Sequence, residues 1–332
     1  AQLGGGNAAA NVEKALDLPV EMVFPHRVES VEMLRSFMEK NQHWKLKYYL
    51  SLIYWNKGLL EKAQELILQC KNDPDEVIFY LTKAEMFPND DAMIDQSLNK
   101  ALLINSDNWR LNMTIMERDL DKGNFEAARK LSKKYVKRYP DKSRFGMNYA
   151  KSLMGLGAFE KCISFLNDLN VLPYEHATYG RVIYHEAGIK ASYRELERKN
   201  YRKALHFADM AKAWPRNLGV GRPYDVDERL DDFIKALAYE KMGITEKSNE
   251  LYQAIADYSK PTHAKRNSKL LLQLWALKKL DKNDQAMELL NEISEKNEKN
   301  VYFQWVKAKY LNGNAEELKN SILNSNIVVG IY

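Results

Sequence analysis

Apolar residues recur at spacings of three and four along most of the chain, in segments of about 12 to 16 residues. Few alternating runs of β-branched residues interrupt this pattern, which therefore predicts amphipathic helices and an all-α fold. Stretches that contain proline separate the segments, and they are Asn72–Asp75, Phe87–Asp90, Arg138–Asp141, Leu172–Pro173 and Trp214–Pro215. Because proline ends one helix and Asn or Asp caps the next, we expect short helices in antiparallel pairs.

A short motif recurs at the predicted turns. It reads Gly-x-x-Glu-Lys-Ala at 58–63, Gly-Asn-Phe-Glu-Ala-Ala at 123–128 and Gly-Ala-Phe-Glu-Lys-Cys at 157–162, with weaker copies at 200–204, 243–248 and 282–286. The last residue of each copy serves as an anchor, and the anchors are Ala63, Ala128, Cys162, Ala204, Ser248 and Ala286. The 65-residue step between the first two anchors predicts a hidden repeat anchored near Ile94, with steps of 31 and 34. This pattern resembles the tetratricopeptide repeat (TPR), a helix pair with a period of about 34 residues.

A second small residue precedes four anchors by twelve positions, and these residues are Ser51, Ala150, Ser192 and Ala236. Small side chains at both positions allow the two helices of a pair to approach each other closely. The spacing therefore supports the interpretation as TPR-like helix pairs.

The sequence predicts a right-handed α-solenoid of about seven degenerate TPR-like helix pairs across residues 30–320. An irregular N-terminal lead is expected over residues 1–29, and a tail over residues 321–332. Apolar residues of the lead should cover the open face of the first pair, and they are Leu16, Leu18, Val20, Val23 and Phe24. Anchor steps of 42 and 44 predict insertions at 174–180 and at 214–229.

Composition and charge support a folded chain and narrow the function only slightly. Of 332 residues, 45% are apolar, and 50 Lys and Arg stand against 45 Asp and Glu, a formal charge of +5. This mild excess favours solubility more than it indicates nucleic acid. No apolar run reaches the ~18 residues that a membrane helix needs. Cys70 and Cys162 have no CxxC spacing, and we expect both in the core.

Motifs for catalysis or metal binding fail on spacing. His185-Glu186 would need a second His at position 189, which is Ile, to form a zinc motif. The GxG at 219–221 lacks a third glycine and a preceding strand, so it predicts a turn. Asp225, Asp227 and Glu228 lack a nucleophile, and are expected to form salt bridges and a helix cap. We therefore expect no active site, cofactor or metal in this chain.

Candidate partner-binding residues lie in the longer insertion and on the first helix pair. Trp214 and Tyr224 offer large flat surfaces, and Arg222 and Arg229 offer forked donors. The TPR pattern places Lys45, Tyr48, Leu52 and Trp55 toward the inner groove, although aromatic residues at helical spacing are also typical of a core. The full candidate set is Trp214, Asn217, Arg222, Tyr224, Asp225, Arg229, Tyr48 and Trp55. The alternative for the insertion is a loop that only bridges two helix pairs.

Three blocks resemble a more specific family than TPR proteins in general, and they are Val23–Arg27, Trp44–Leu50 and Trp214–Asp225. They are similar to the C-terminal TPR region of large bacterial proteins across roughly residues 15–320. Those proteins carry, ahead of the repeats, a β-sandwich domain of unknown function similar to galactose-mutarotase-like folds. The resemblance implies a carbohydrate-linked context, with any sugar-active site in the β-sandwich and not in this chain.

The first hypothesis is a non-catalytic scaffold that binds a protein, above all that β-sandwich domain. A second is an accessory part of a carbohydrate-active enzyme that lends Arg222 or Asp225 to its site. A third is polyanion binding through the basic run Arg129, Lys130, Lys133, Lys134, Lys137, Arg138, Lys142 and Arg144, although a solvated helix face is the more ordinary role of such a run. We expect neither a membrane nor a nucleic-acid partner.

Overall fold

The computed structural model describes residues 8–71, 73–174, 177–258, 269–297 and 299–311. Within these ranges the chain forms helices and no strands, which confirms the all-α class. The chain divides into two compact units, Ala1–Pro140 and Asp141–Tyr332, a division that the repeat pattern did not predict. The predicted tail at 321–332 lies outside the described residues.

The first unit contains three helix pairs that follow two leading helices. The leading helices are α1 (Ala8–Asp17) and α2 (Ser30–Lys40). The pairs are α3 (Trp44–Asn56) with α4 (Leu60–Leu68), α5 (Val77–Met86) with α6 (Asp91–Asn105), and α7 (Trp109–Asp121) with α8 (Phe125–Arg138).

The described part of the second unit contains four further pairs and one trailing helix. The pairs are α9 (Ser143–Gly155) with α10 (Phe159–Asp168), α11 (Tyr179–Glu197) with α12 (Tyr201–Lys212), α13 (Arg229–Lys241) with α14 (Thr245–Ala256), and α15 (Lys269–Lys279) with α16 (Asn283–Asn297). A 3-10 helix, Arg216–Leu218, lies between α12 and α13, and α17 (Val301–Tyr310) follows the last pair. The described residues thus hold the seven helix pairs that the sequence predicts.

Six of the seven pairs are closed by the same turn. In each, one residue adopts a left-handed backbone, and these residues are Gly58, Gly123, Gly157, Lys199, Gly243 and Asp281. The next N–H then donates to the carbonyl five residues back at 2.7 to 3.0 Å, a Schellman-type ending. Lys199 and Asp281 form this turn with φ of 63° and 58° although they carry a side chain. Two of the three weaker copies therefore form the same turn without a glycine.

Side chains on either side of these turns show that the pairs are antiparallel. Cys162 Sγ donates to the Ala150 carbonyl at 3.5 Å, and Ser192 Oγ donates to the Ala204 carbonyl at 2.6 Å. Each contact joins residues twelve apart and equidistant from the turn, as the sequence predicts. The anchors and their small partners are buried, including Ser51, Ala63 and Ala236.

The hidden repeat exists, but its turn differs from the others. No residue of 87–90 adopts a positive φ between α5 and α6. Instead the Asp90 side chain caps α6 by accepting the Met93 N–H at 2.9 Å. The predicted anchor Ile94 is only half-buried, whereas Ala101, about two helical turns later on α6, is fully buried. An N-cap has replaced the glycine turn here, which explains why the motif is missing from the sequence.

The lead is only partly as predicted. It is not irregular throughout, because α1 occupies residues 8–17. Leu16 is buried against α2 and α3, and Val20 is buried among residues of α3 and α5, so both cover the first helices. Leu18, Val23 and Phe24 are exposed, and the prediction that they pack is wrong. Residues 18–27 are not helical. This stretch is attached to the first helices mainly by main-chain hydrogen bonds, from the Leu18 carbonyl to Lys45 and from the Val20 N–H to Glu76, and not by a continuous apolar face.

We predict that Ala128→Leu lowers the free energy of unfolding by about 1–3 kcal/mol, because Ala128 is fully buried in α8, which packs against α7, and a larger side chain overpacks that contact. Chemical denaturation measures the change. Ala127→Leu is the matched control, since Ala127 is the exposed neighbour on the same helix and should change stability little. Equal effects of the two substitutions would show that the helix contact is placed wrongly.

We also predict that deleting residues 1–29 lowers the melting temperature and promotes aggregation, because the buried faces of α2 and α3 lose their cover. A point substitution tests the same contact with less disruption. Val20→Ala should cost about 1–3 kcal/mol, since Val20 is 1% exposed. Phe24→Ala, at an exposed position, should cost close to nothing. An unchanged melting temperature for the deletion would refute the role of the lead as a cap.

Candidate functional site

The insertion that follows α12 is attached to the second unit by its first residues. Trp214 is half-buried, and the guanidinium of Arg181 lies 4.4 Å from its ring centre. Arg181 is itself buried and donates from Nη2 to the Ala211 carbonyl at 2.7 Å. Trp214 therefore takes part in a cation–π contact at the base of the insertion, and less of its ring is available to a partner than the sequence suggested.

Asn217 attaches the insertion to the rest of the unit. Its side-chain amide donates to the carbonyls of Leu166 and Leu169, both at 2.8 Å, and its own carbonyl accepts the Val171 N–H at 2.8 Å. These bonds tie the 3-10 helix to the end of α10. The amide nitrogen of Asn217 is therefore bonded to the chain's own carbonyls, and a contact of Asn217 with a partner stays a prediction.

The turn after Asn217 depends on a glycine. Gly219 has a φ of +76°, in the left-handed region that the sequence predicted for this turn. A Cβ at this position would lie 2.9 Å from the Val171 carbonyl oxygen, so a side chain would clash with main chain. The close approach lets the insertion fold back onto the segment after α10.

The tip of the insertion, residues 221–225, is exposed throughout. Tyr224 is fully exposed and Asp225 is exposed beside it. Arg222 is more than half exposed, and its Nη2 donates to Glu228 Oε1 at 2.7 Å. Glu228 also pairs with Lys212 at 2.8 Å. Burial would raise the pKa of Glu228, but Lys212 and Arg222 outweigh it and hold that pKa below its usual range.

Arg229 closes the insertion inside the unit and not on its surface. It is buried, and its Nε and Nη2 donate to the two carboxylate oxygens of Asp227 at 3.0 and 2.8 Å. Its guanidinium also lies 4.1 Å from the ring centre of Tyr258. The prediction of a forked donor for a partner is therefore wrong, because a bidentate carboxylate and an aromatic ring already occupy the guanidinium.

The two candidates on the first helix pair have separate outcomes. Tyr48 is buried in the core of the first unit, and its hydroxyl lies 3.0 Å from Thr82 Oγ1. Burial raises the pKa of Tyr48 to about 12. Tyr48 is thus a core residue, and its assignment to an open groove is wrong. Trp55 is half-buried and packs against the same core, which leaves part of its ring exposed.

Three charged residues of the first unit form a site that the candidate set missed. Lys45 donates from Nζ to the Leu18 carbonyl at 2.7 Å and pairs with Glu76 at 3.0 Å. Glu76 accepts the Val20 N–H at 2.8 Å, and Arg110 pairs with Glu21. Each of the three lies eighteen residues before the anchor of its repeat, namely Ala63, Ile94 and Ala128. That spacing is a signal by which sequence reasoning could have found them.

Carboxylates of α8 and of the segment between α6 and α7 partly neutralise the basic run. Arg129 makes two hydrogen bonds to Glu126, at 2.6 and 2.8 Å. Lys134 and Arg138 both pair with Asp107, and their hydrogen bonds lower the pKa of that carboxyl to about 2. Three of the six cations on this helix therefore have carboxylate partners, which reduces the charge that the run presents to a polyanion.

Both cysteines lie in the core. Cys70 and Cys162 are free and buried, which confirms their assignment to the core. Burial raises the pKa of both thiols to about 12. Across the described ranges, no three His, Cys, Asp or Glu side chains are grouped so that they could hold a metal ion. In the same ranges, no helix combines the length and apolar character needed to cross a membrane.

Comparison with solved structures finds distant structural likenesses. No protein-family model matches the chain, and no curated protein matches it by sequence. The structure of Naa15/Naa10 bound to HypK-THB aligns with a TM-score of 0.47 at 14% identity, over 95% of this chain and 46% of that one. This chain therefore spans less than half the length of that neighbour.

Two further structures align less well. PilW, a widely conserved type IV pilus biogenesis factor, has a TM-score of 0.37 and 16% identity over 66% of this chain and 96% of its own. Yeast Tom70 has a TM-score of 0.36 and 16% identity over 90% and 62%. We assign the fold from the helix pairs of this chain and not from these alignments.

We predict that Asp227→Asn lowers the free energy of unfolding at neutral pH by about 2–3 kcal/mol, because it leaves the buried Arg229 without its carboxylate. Burial would raise the pKa of Asp227, but Arg229 and Lys269 outweigh it and hold that pKa below its ordinary value of 3.8. The contribution of the carboxylate is therefore present above pH 3.8 and is lost as the pH falls below that value.

Urea denaturation of wild type and Asp227→Asn from about pH 2 to about pH 7, a range that includes the ordinary pKa of an aspartate, tests the prediction. The stability difference between wild type and Asp227→Asn should be largest at neutral pH and should shrink in acid. A difference that stays constant over this range would show that the lost interaction is not that of the ionised carboxylate.

Proposed function

We propose that this chain is a helical-repeat scaffold that binds a protein through the exposed tip of its insertion. The observation that carries this proposal is the contrast within one segment. Asn217 and Arg229 hold both ends of the segment in the second unit, while Tyr224 between them is fully exposed. A large aromatic side chain on a well-anchored loop loses little conformational entropy when it is buried by a partner.

The chemistry of the tip fits a protein partner better than a small ligand. Tyr224 can bury a flat apolar surface and still use its hydroxyl as a donor or acceptor. Arg222 keeps donors free beyond the one bonded to Glu228, because more than half of its side chain is exposed. Aromatic and arginine side chains are the residue types that dominate the binding energy of protein interfaces.

For the partner itself, we propose the β-sandwich domain that the resemblance implies. The support is the position of the tip within the Trp214–Asp225 block, one of the three stretches that carry the resemblance. The carbohydrate context enters only through that domain.

We predict that Tyr224→Ala and Arg222→Ala each weaken binding to the β-sandwich domain by at least ~1–2 kcal/mol, about 5- to 30-fold in Kd, the range of interface hot spots. Isothermal titration of the purified chain with that domain measures the change. Tyr193→Ala is the matched control, because Tyr193 is an exposed tyrosine of the same unit outside the insertion, and its loss should leave Kd unchanged.

Circular dichroism and melting temperature must match wild type for these variants, since neither side chain is buried. Normal binding by both tip variants would remove the tip from the interface. Unfolding of both would show that the insertion is only structural. If wild type itself does not bind the β-sandwich domain, the choice of partner is wrong.

A further inference from the structure

The lead lies across one repeated face of the first unit. Lys45, Glu76 and Arg110 lie where the first helices of three successive pairs begin: Lys45 and Arg110 are the second residues of α3 and α7, and Glu76 directly precedes α5. The three side chains form a row, because Lys45 pairs with Glu76 at 3.0 Å and Glu76 lines the same cavity as Arg110. All three contact the same four residues of the lead, Leu18 to Glu21. We call this face, defined by Lys45, Glu76 and Arg110, the charged row.

Two of the contacts are made to the main chain of the lead. Lys45 donates to the Leu18 carbonyl at 2.7 Å, and Glu76 accepts the Val20 N–H at 2.8 Å. Lys45 and Glu76 also pair with each other at 3.0 Å. A carbonyl acceptor and an N–H donor two residues apart are offered by almost any polypeptide. At these two contacts the charged row therefore recognises the main chain of a polypeptide, whatever its sequence.

Two further contacts are specific for side chains. Val20 is 1% exposed and lies in the same buried cluster as Trp44, Tyr48 and Phe79. The next residue, Glu21, pairs its carboxylate with Arg110. The charged row thus accepts a small apolar residue followed by an acidic one.

The lead is held at few points and does not fill the space beside it. The side chain of Glu21 is half exposed, and those of Leu18 and Met22 are exposed. A cavity of about 190 Å³ continues from the Glu21–Arg110 pair, and it is lined by Glu76, Leu81, Ile104 and Asn108 among others. A longer side chain, or a segment that follows a different path, has room to bind there.

We propose that the charged row is a binding site for a polypeptide segment and that residues 18–21 of the lead are its resident ligand. The external partner is a non-helical segment in which a small apolar residue precedes an acidic one, and it must displace the lead. The site is therefore autoinhibited. It lies in the first unit and is independent of the tip of the insertion.

The test uses a fluorescein-labelled peptide with the sequence of residues 15–27 of this chain as the probe, and fluorescence anisotropy as the readout. In the full chain, Val20→Ser with Glu21→Ala releases the resident segment without altering the charged row. This variant should bind the peptide at least about tenfold more tightly than wild type, because the tethered lead no longer competes at high effective concentration. Glu21→Arg alone keeps Val20 in the core and should give a gain of about threefold.

A charge exchange identifies where the peptide binds. In the released variant, Arg110→Glu should weaken binding of the peptide about tenfold, and a peptide with Glu21→Arg should restore it. Lys57→Glu is the matched control, since Lys57 is an exposed cation at the opposite end of α3 from Lys45, and it should leave binding unchanged.

Two outcomes would overturn the proposal. If neither lead variant binds the peptide more tightly than wild type, the lead is a structural cap and not a resident ligand. If the peptide binds the released variant but the exchanged charges do not restore affinity, the site is not the charged row. Neither outcome depends on the β-sandwich domain, so failure here is distinct from failure of the proposed function.

Discussion

The close approach of the two helices within each pair is the constraint on which the rest of the structure depends. Cys162 lies 3.5 Å from the Ala150 carbonyl and Ser192 lies 2.6 Å from the Ala204 carbonyl, distances that larger side chains would not allow. In α11 the approach is closer still, since a Cβ on Gly188 would lie 2.7 Å from the Cβ of Ala211. Small residues and a left-handed turn together fix the geometry of six of the seven described pairs.

The charged row lies where the first helices of three successive pairs begin. Burying Lys45 and Glu76 costs desolvation, and an ion pair recovers that cost only when the remaining donors and acceptors also find partners. Here the main chain of the lead supplies them, through the Leu18 carbonyl and the Val20 N–H. The lead and the row therefore stabilise each other, which explains how so short a stretch, with most of its apolar side chains exposed, is held in place.

The longer insertion separates anchoring from exposure within about fifteen residues. Its ends satisfy buried polar groups, through the amide of Asn217 on one side and the bidentate pair of Arg229 and Asp227 on the other. Its tip, residues 221–225, contributes no side chain to the core. Residue types that look equally suited to binding in the sequence thus have opposite roles, and burial alone distinguishes Arg229 from Arg222.

The sequence by itself determined the helical class, the number of pairs and the buried positions of Ala63, Ala150 and Cys162, because these follow from local periodicity and from the size of a few side chains. It did not predict the left-handed turns at Lys199 and Asp281, where the packing of the pair holds a backbone that the residue type disfavours. It also placed Tyr48, Asn217 and Arg229 on a binding surface, since a sequence lists donors and aromatic rings without their neighbours. Only the tertiary structure decided which of these groups are already satisfied inside the chain, because Thr82, Leu166 and Leu169 lie 34, 51 and 48 residues away from the side chains they contact.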